Sequence, residues 1–218
     1  MQIDITNLHK RYKKQIIFDE FNLTLNNKQI NFLVGANGTG KSTFLKCLLK
    51  LIKYQGRISG HDVAIAYMPE RLMLPDYVKV KAFLKLIGAV RGISSDILNQ
   101  RITEYLKKFN MLEHQEKNII QLSKGMRQKV LLIQTLMSDA DLYIFDEPLN
   151  GLDQKSQQVF MNEIGLLRKK EKLIIITTHQ INSYRFRNKR IIDFNQIDFI
   201  KNGYETNQTS LYIFFKPF

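Results

Sequence analysis

Cysteine is nearly absent from this 218-residue chain, which has Cys47 alone. No internal disulfide can form, so the fold must hold without covalent staples, as suits a reducing cytosol. Set among apolar neighbours, Cys47 is expected to be a small core residue. Long hydrophobic runs are missing too. No stretch approaches the ~20 consecutive apolar residues that cross a bilayer, and Met1-Gln2-Ile3-Asp4-Ile5-Thr6 lacks a basic segment followed by an apolar one. The chain is expected neither to span a membrane nor to enter a secretory route. No internal repeat or low-complexity linker is visible, and the length suits one well-cored α/β domain, with room for a smaller lobe, better than two independent ones. Acidic residues are scarce: 20 Asp and Glu stand against 33 Lys and Arg, a net charge of +13. Such a bias suits nucleic acid, an anionic membrane surface, or neither. The basic residues gather at Lys10, Arg11, Lys13 and Lys14, at Arg168, Lys169 and Lys170, and at Arg185, Arg187, Lys189 and Arg190. None of these groups is interleaved with the aromatic spacing of a single-strand-binding platform, so solvated helix ends and loops are expected there, and no nucleic-acid partner.

What the chain does carry is Gly35-Ala36-Asn37-Gly38-Thr39-Gly40-Lys41-Ser42-Thr43, which fits G-x-x-x-x-G-K-[ST] without a mismatch. Gln29-Ile30-Asn31-Phe32-Leu33-Val34 reads as a strand before it, and Phe44-Leu45-Lys46-Cys47-Leu48-Leu49 starts an apolar helical run after it. The glycines let the backbone pass close to a polyphosphate. Backbone amides at the start of a helix then meet the anion, helped by the helix dipole. Lys41 adds a point charge for the β- and γ-phosphates, and the Ser42 hydroxyl is suited to Mg²⁺. The competing reading is a glycine-rich turn before an ordinary helix.

Upstream, Phe21, Leu23 and Leu25 alternate with Asn22, Thr24 and Asn26, the period of two of a half-buried strand. Leu8-His9-Lys10-Arg11-Tyr12 ends another strand with an aromatic, which taken alone is a packing residue. Residues 54 to 60 carry the glycine punctuation of a turn between short strands, and residues 63 to 68 return to a buried strand that Pro69 ends. From 78 to 112 the period turns helical: Leu98, Ile102, Tyr105, Leu106 and Phe109 recur three and four apart, after an N-cap at Ser94 or Ser95. This segment is expected to form a separate helical lobe. Leu122-Ser123-Lys124-Gly125-Met126-Arg127-Gln128 leads into a strongly apolar helix and offers a second helix start suited to an anion. Leu142-Tyr143-Ile144-Phe145 reads as a fully buried parallel strand that ends in Asp146-Glu147. Two carboxylates at such a tip are costly unless used or paired, and in a P-loop protein an aspartate there holds the Mg²⁺ of the nucleotide. An amphipathic helix follows from Asp153 to Arg168, then a buried strand Leu173-Ile174-Ile175-Ile176 closed by Thr177-Thr178-His179. The carboxyl ends of parallel strands are where such folds bind ligands. The tail from Ile191 carries no motif.

In this order, the motifs resemble those of the ATP-binding subunit of an ABC transporter, over essentially residues 3 to 195. GANGTGKST resembles the Walker A motif and LSKGMRQ the signature usually written LSGGQ. LYIFDEP resembles Walker B with a catalytic glutamate, NGLD the D-loop, His179 the switch histidine, and Tyr12 the adenine-stacking aromatic. The resemblance implies an α/β fold: a P-loop NTPase core with a mainly parallel sheet flanked by helices, an N-terminal antiparallel β subdomain, and an inserted α-helical lobe at residues 71 to 121. All of it would form one domain over residues 1 to 218. It implies ATP and Mg²⁺ as ligands, with Tyr12 and the loop Gly35, Ala36, Asn37, Gly38, Thr39, Gly40, Lys41, Ser42 and Thr43 on the nucleotide. Ser42, Asp146 and Glu70 would meet the metal, Glu147 would be the general base, and His179 would stabilise the γ-phosphate end. Ser123 and Gly125 would act in trans, on the nucleotide of a second cassette. The implied partners are that cassette and a separate transmembrane permease, which would keep the chain peripheral on the cytoplasmic face of the membrane.

Two departures bear on direction. The signature has Lys124 and Met126 where the commonest version has Gly and Gln, and the Q-loop position after Tyr67-Met68-Pro69 is Glu70 instead of Gln. Both resemble variants found in ATPases of drug, bacteriocin and polysaccharide exporters, so export is expected. A soluble ABC ATPase acting on nucleic acid or ribosomes, and a regulatory cassette, stay open as alternatives.

Overall fold

A computed structural model describes residues 1–60, 62–71 and 74–196. Residues 72 and 73 of the expected helical lobe, and the tail from 197, lie outside the described residues. Along the chain the elements are β1 (Gln2–Tyr12), β2 (Gln15–Asn26), β3 (Ile30–Val34), α1 (Lys41–Leu48), β4 (Gln55–Ser59), β5 (Ile65–Met68), α2 (Val80–Val90), α3 (Ser95–Lys108), α4 (Lys124–Leu136), β6 (Leu142–Asp146), α5 (Gln154–Lys169), β7 (Leu173–Thr178) and β8 (Lys189–Asp193). They fall into two compact units, Met1–Val63 with Glu171 onward, and Ala64–Lys170.

In the first unit the period-two alternation of β2 buries Phe21, Leu23 and Leu25, and β2 pairs antiparallel with β1. The connecting turn holds Lys13 and Lys14 in solvent, as expected for that basic cluster. Residues 54 to 60, expected to be a turn between strands, are different. Gln55–Ser59 is itself a strand on the other edge of β1, giving the order β2-β1-β4. Gly56 explains the misreading: its φ is +97°, and a Cβ there would lie 2.1 Å from the Asn7 carbonyl oxygen, where the β1 register slips between Thr6 and His9. The glycine serves a bulge within a ladder, not a chain reversal. The parallel strands of this unit are β7, β3 and β8, with β3 in the middle. Phe18, Phe21, Phe44 and Phe194 pack ring against ring, with centroids 5.2–6.3 Å apart, and tie β2, α1 and the end of β8 together. Cys47 is fully buried, as expected, and burial pushes its thiol pKa up. Two residues of the third basic cluster are not solvated ones, for Lys189 is half-buried and donates to the Tyr184 carbonyl at 3.1 Å. Arg190 is half-buried, hydrogen-bonds the Thr24 carbonyl, and has its pKa lowered by burial.

In the second unit β5 runs parallel to β6. All five residues of β6 are buried, as the apolar run requires, whereas β5 buries only Ala66 and Met68 and is half-buried. The helical stretch from 78 to 112 is broken at Gly92, with φ +72°, into α2 and α3. Ser94 is the N-cap residue of α3, but its side chain makes no capping bond. The two helices cross so closely that a Cβ on Gly88 would lie 2.2 Å from Leu98 Cδ1. Leu98, Ile102, Leu106 and Phe109 are buried. Tyr105 is half-buried because its hydroxyl donates to Glu163 Oε2 on α5 at 3.1 Å. Burial, then the Glu163 charge, pushes the Tyr105 pKa up. The other oxygen of Glu163 accepts from Lys108 at 2.7 Å, and Lys108 also meets Glu104 at 2.7 Å. Burial alone would lower the Lys108 pKa, but those two carboxylates raise it. Lys108→Met leaves the buried Glu163 carboxylate with the tyrosine alone, so we expect a loss of about 1–3 kcal/mol. It is read as a lower urea midpoint at unchanged slope.

Candidate nucleotide site

Six of the sequence-predicted nucleotide positions, Gly35 to Gly40, form one continuous turn in the first unit, between β3 and α1, and Lys41, Ser42 and Thr43 open α1. Gly38 and Gly40 take φ +84° and +103°, a region side chains avoid, and Gly35 leaves no room for a Cβ, which would lie 2.7 Å from Thr39 Oγ1. The Thr39 hydroxyl donates to the Ala36 carbonyl at 3.0 Å. The helix starts from Gly40 with no side-chain cap, and a helix start of this kind favours an anion. Lys41 is only 7% exposed. Its Nζ donates to the carbonyls of Gly35 at 2.6 Å and Ala36 at 2.9 Å, which holds the ammonium inside the loop. Ala36, Asn37, Gly38 and Ser42 are exposed, and Thr43 is half-buried.

Sheet register places His179 relative to this turn. Val34, the last residue of β3, pairs in parallel with Thr178, the last residue of β7, so His179 and Gly35 both leave the carboxyl ends of adjacent strands. His179 is exposed, with its Nε2 3.1 Å from the Gln180 side-chain nitrogen. A tight contact also joins the β1–β2 hairpin to the loop: a Cβ on Gly40 would lie 3.1 Å from Ile17 Cγ2 and 3.3 Å from Phe18. Tyr12, at the end of β1, is 44% exposed, with the Lys10 ammonium 4.7 Å from its ring centroid. An exposed ring face is what base stacking needs.

The other predicted residues belong to the second unit. Asp146 ends β6 at 4% exposure and Glu147 follows at 8%. Glu147 has φ 50°, a left-handed conformation that costs roughly 1–2 kcal/mol for a residue with a side chain and that concentrates at functional sites. Burial, then the charges of Asp146 and Glu70, pushes the Tyr67 hydroxyl pKa up to about 12, so both carboxylates lie within electrostatic reach of that one phenol. Glu70 is partly exposed and 3.9 Å from Arg71. Ser123 is the N-cap of α4, its Oγ accepting from the Met126 amide at 3.2 Å, which leaves the hydroxyl proton free to donate. Gly125 lies in the first turn of α4, where a Cβ would lie 2.7 Å from the Gly151 carbonyl oxygen. Among the described residues no three His, Cys, Asp or Glu cluster as a ready-made metal site.

Sequence reasoning missed two features. Asn195, in the tail without a motif, accepts from the Ala36 amide through Oδ1 at 2.9 Å, and is itself fixed by Asp193, which accepts from both its backbone and side-chain nitrogens at 2.9 and 2.8 Å. Lys129 pairs with Asp153 at 2.7 Å. Neither partner pair has a periodic or local sequence signature.

A family profile described as "ABC transporter" matches residues 18–150. The chain is 31% identical over 172 residues to the uncharacterized ABC transporter ATP-binding protein YthP of Bacillus subtilis, covering 78% of this chain and 72% of that one. It is 32% identical over 199 residues to the zinc import ATP-binding protein ZnuC of Rickettsia conorii, covering 88% and 82%. Among solved structures, a dimeric bacterial ABC transporter cassette superposes with a TM-score of 0.76 at 23% identity, covering 88% of this chain and 93% of that one. With a glycine-rich turn at the head of α1, a carboxylate pair at the end of β6 and these relatives, the chain belongs to the ABC transporter family, as an ATP-binding and ATP-hydrolysing subunit with the ABC ATPase fold.

Proposed function

We propose that this chain is the energy-coupling subunit of an exporter, closing with a second cassette around two ATP molecules and passing that motion to a separate transmembrane permease. The observation that carries the reading is the caged Lys41 at an uncapped helix start, which is built to receive a polyphosphate. In this reading Tyr12 stacks the adenine, the amides of residues 35–43 hold the phosphates, and Lys41 neutralises the β- and γ-phosphates. Glu147 takes the proton of the attacking water, and His179 donates to the γ-phosphate end. Ser42 and Asp146 would hold Mg²⁺, whose oxygen-donor preference they fit, with Glu70 as a further oxygen, and the ion would supply positive charge beside the phosphates. Ser123 and Gly125 face the nucleotide bound by the other cassette. The inserted segment at 71–121 faces the permease in this reading; among the described residues no helix is long and apolar enough to cross a membrane.

Export is the finer part of this proposal. Lys124, Met126 and Glu70 support it through their resemblance to exporter variants, and the likeness to a zinc import protein weighs against it. Reconstitution with the permease, with substrate offered on each side in turn, separates the two directions. The class is tested by purifying the chain from its native host in mild detergent. We expect one hydrophobic, multi-spanning partner in stoichiometric amount; ribosomes or DNA without a membrane protein would overturn the reading.

A further inference from the structure

The signature turn and the loop after the carboxylate pair meet at two points within the second unit. At the first, Gly125 touches the Gly151 carbonyl so closely that a Cβ, at 2.7 Å, would not fit. At the second, one helical turn along the same face of α4, the Lys129 ammonium lies 2.7 Å from Asp153 Oδ2. The other oxygen of that carboxylate, Oδ1, accepts from the Ser156 amide at 2.8 Å and caps α5. One side chain therefore holds two helices, α4 through Lys129 and α5 through its own N-terminus. The Lys129 side chain is only 12% exposed, so this ion pair is shielded from solvent on the cationic side. Hydrogen bonding to Lys129, then to the Ser156 amide, draws the Asp153 pKa down to about 2.

The path from Asp153 back to Glu147 is short and stiff. The Asn150 amide donates to the Glu147 carbonyl at 3.2 Å, and the Leu152 amide to the Leu149 carbonyl at 3.2 Å, two successive tight turns. We propose that Lys129 and Asp153 are positioning residues of the ATPase, locking the signature turn of Ser123 and Gly125 to the loop that carries Glu147. Nucleotide engaged by the signature and the general base of the same chain then move as one body. This inference rests on the two-cassette reading proposed above.

The test uses Lys129→Met, which removes the charge, and Asp153→Asn, which removes the charge but keeps a side chain of equal capping strength for α5. Lys129→Arg is the conservative restoration. Misplacement of a reacting group by an ångström costs up to about 100-fold in rate, so we expect kcat to fall about 10- to 100-fold in the first two variants. KM and the ATP affinity of the P-loop measured by calorimetry should stay near wild type, and the arginine variant should recover most of the rate. In a Glu147→Gln background, ATP-driven dimerisation should need more protein when Lys129→Met is added. Wild-type kcat in both charge-removing variants, or a loss that follows the thermal midpoint and that arginine fails to restore, overturns the inference. If Glu147→Gln alone dimerises with ATP and the Lys129→Met double variant does so equally, this inference falls and the two-cassette reading stands. If Glu147→Gln does not dimerise with ATP, the two-cassette reading falls and takes this inference with it.

Discussion

Glu147→Gln is expected to stop steady-state ATP hydrolysis while leaving ATP binding intact, and to trap a nucleotide-bound dimer. A positioned general base contributes about 10²–10⁴-fold to a proton-transfer step, and the amide cannot accept that proton, so turnover should fall by at least about a hundredfold. Shape is not at issue. Glutamine fills the same volume and, at φ 50°, meets the same left-handed backbone cost that Glu147 already bears, so the variant should fold as the wild type does. The substitution also removes a negative charge from a residue that is 8% exposed and that the proposed mechanism sets against the γ-phosphate. A closed dimer with ATP inside should therefore be more stable in the variant than in the wild type. Size-exclusion chromatography with and without ATP, beside a phosphate-release assay, reads both effects. Wild-type hydrolysis by the purified variant would remove Glu147 from the role of base.

Lys41→Ala should act on the earlier step, weakening ATP itself. The ammonium is held by the carbonyls of Gly35 and Ala36, with its stem buried. The fold thus fixes much of the rotamer freedom of this lysine. Removing it forfeits a charge-assisted contact worth about 1.5–3 kcal/mol, or roughly 10- to 150-fold in dissociation constant. The two loop carbonyls lose a donor as well, which loosens the turn the phosphates must enter. Calorimetric titration with ATP, on protein whose circular dichroism matches the wild type, is the direct measurement; an unchanged affinity would contradict the assignment. The two substitutions separate binding from chemistry, since the first leaves affinity and loses turnover while the second loses affinity first.

Much of the site was legible because its signals are local. The phosphate turn depends on glycines at fixed offsets and a helix start, and the structure places them there, with Gly38 and Gly40 in conformations open mainly to glycine. The buried run of β6 and its abrupt carboxylates were also readable, since a fully apolar strand of this length has few other uses. The helix starts at Ser123 and Asp153 were readable as such, and the structure makes both residues N-caps. What failed was long-range or register-dependent. Gly56 looked like a reversal because glycine in sequence does not say whether φ > 0 serves a turn or a bulge. Arg190 looked solvated because nothing local reveals that β8 brings it against the Thr24 carbonyl. Direction of transport, expected from Lys124, Met126 and Glu70 to be export, belongs to the proposal above, and one relative is a zinc import protein.

By itself, then, the sequence determined the chemical inventory: a glycine-rich turn before a helix, a carboxylate pair at a strand tip, a second helix start behind a serine, and the family those motifs identify. Each is written within about one helical turn or one strand of chain, where torsional preference and periodicity act. Only the tertiary structure decided how those groups are held. It put Glu147 in a left-handed conformation, tucked Lys41 into its own loop, fixed Ala36 with an asparagine far along the chain, and joined α4 to α5 through one aspartate. Such contacts close long loops, whose entropic cost the packing of the whole unit offsets, and no short window of sequence carries that information.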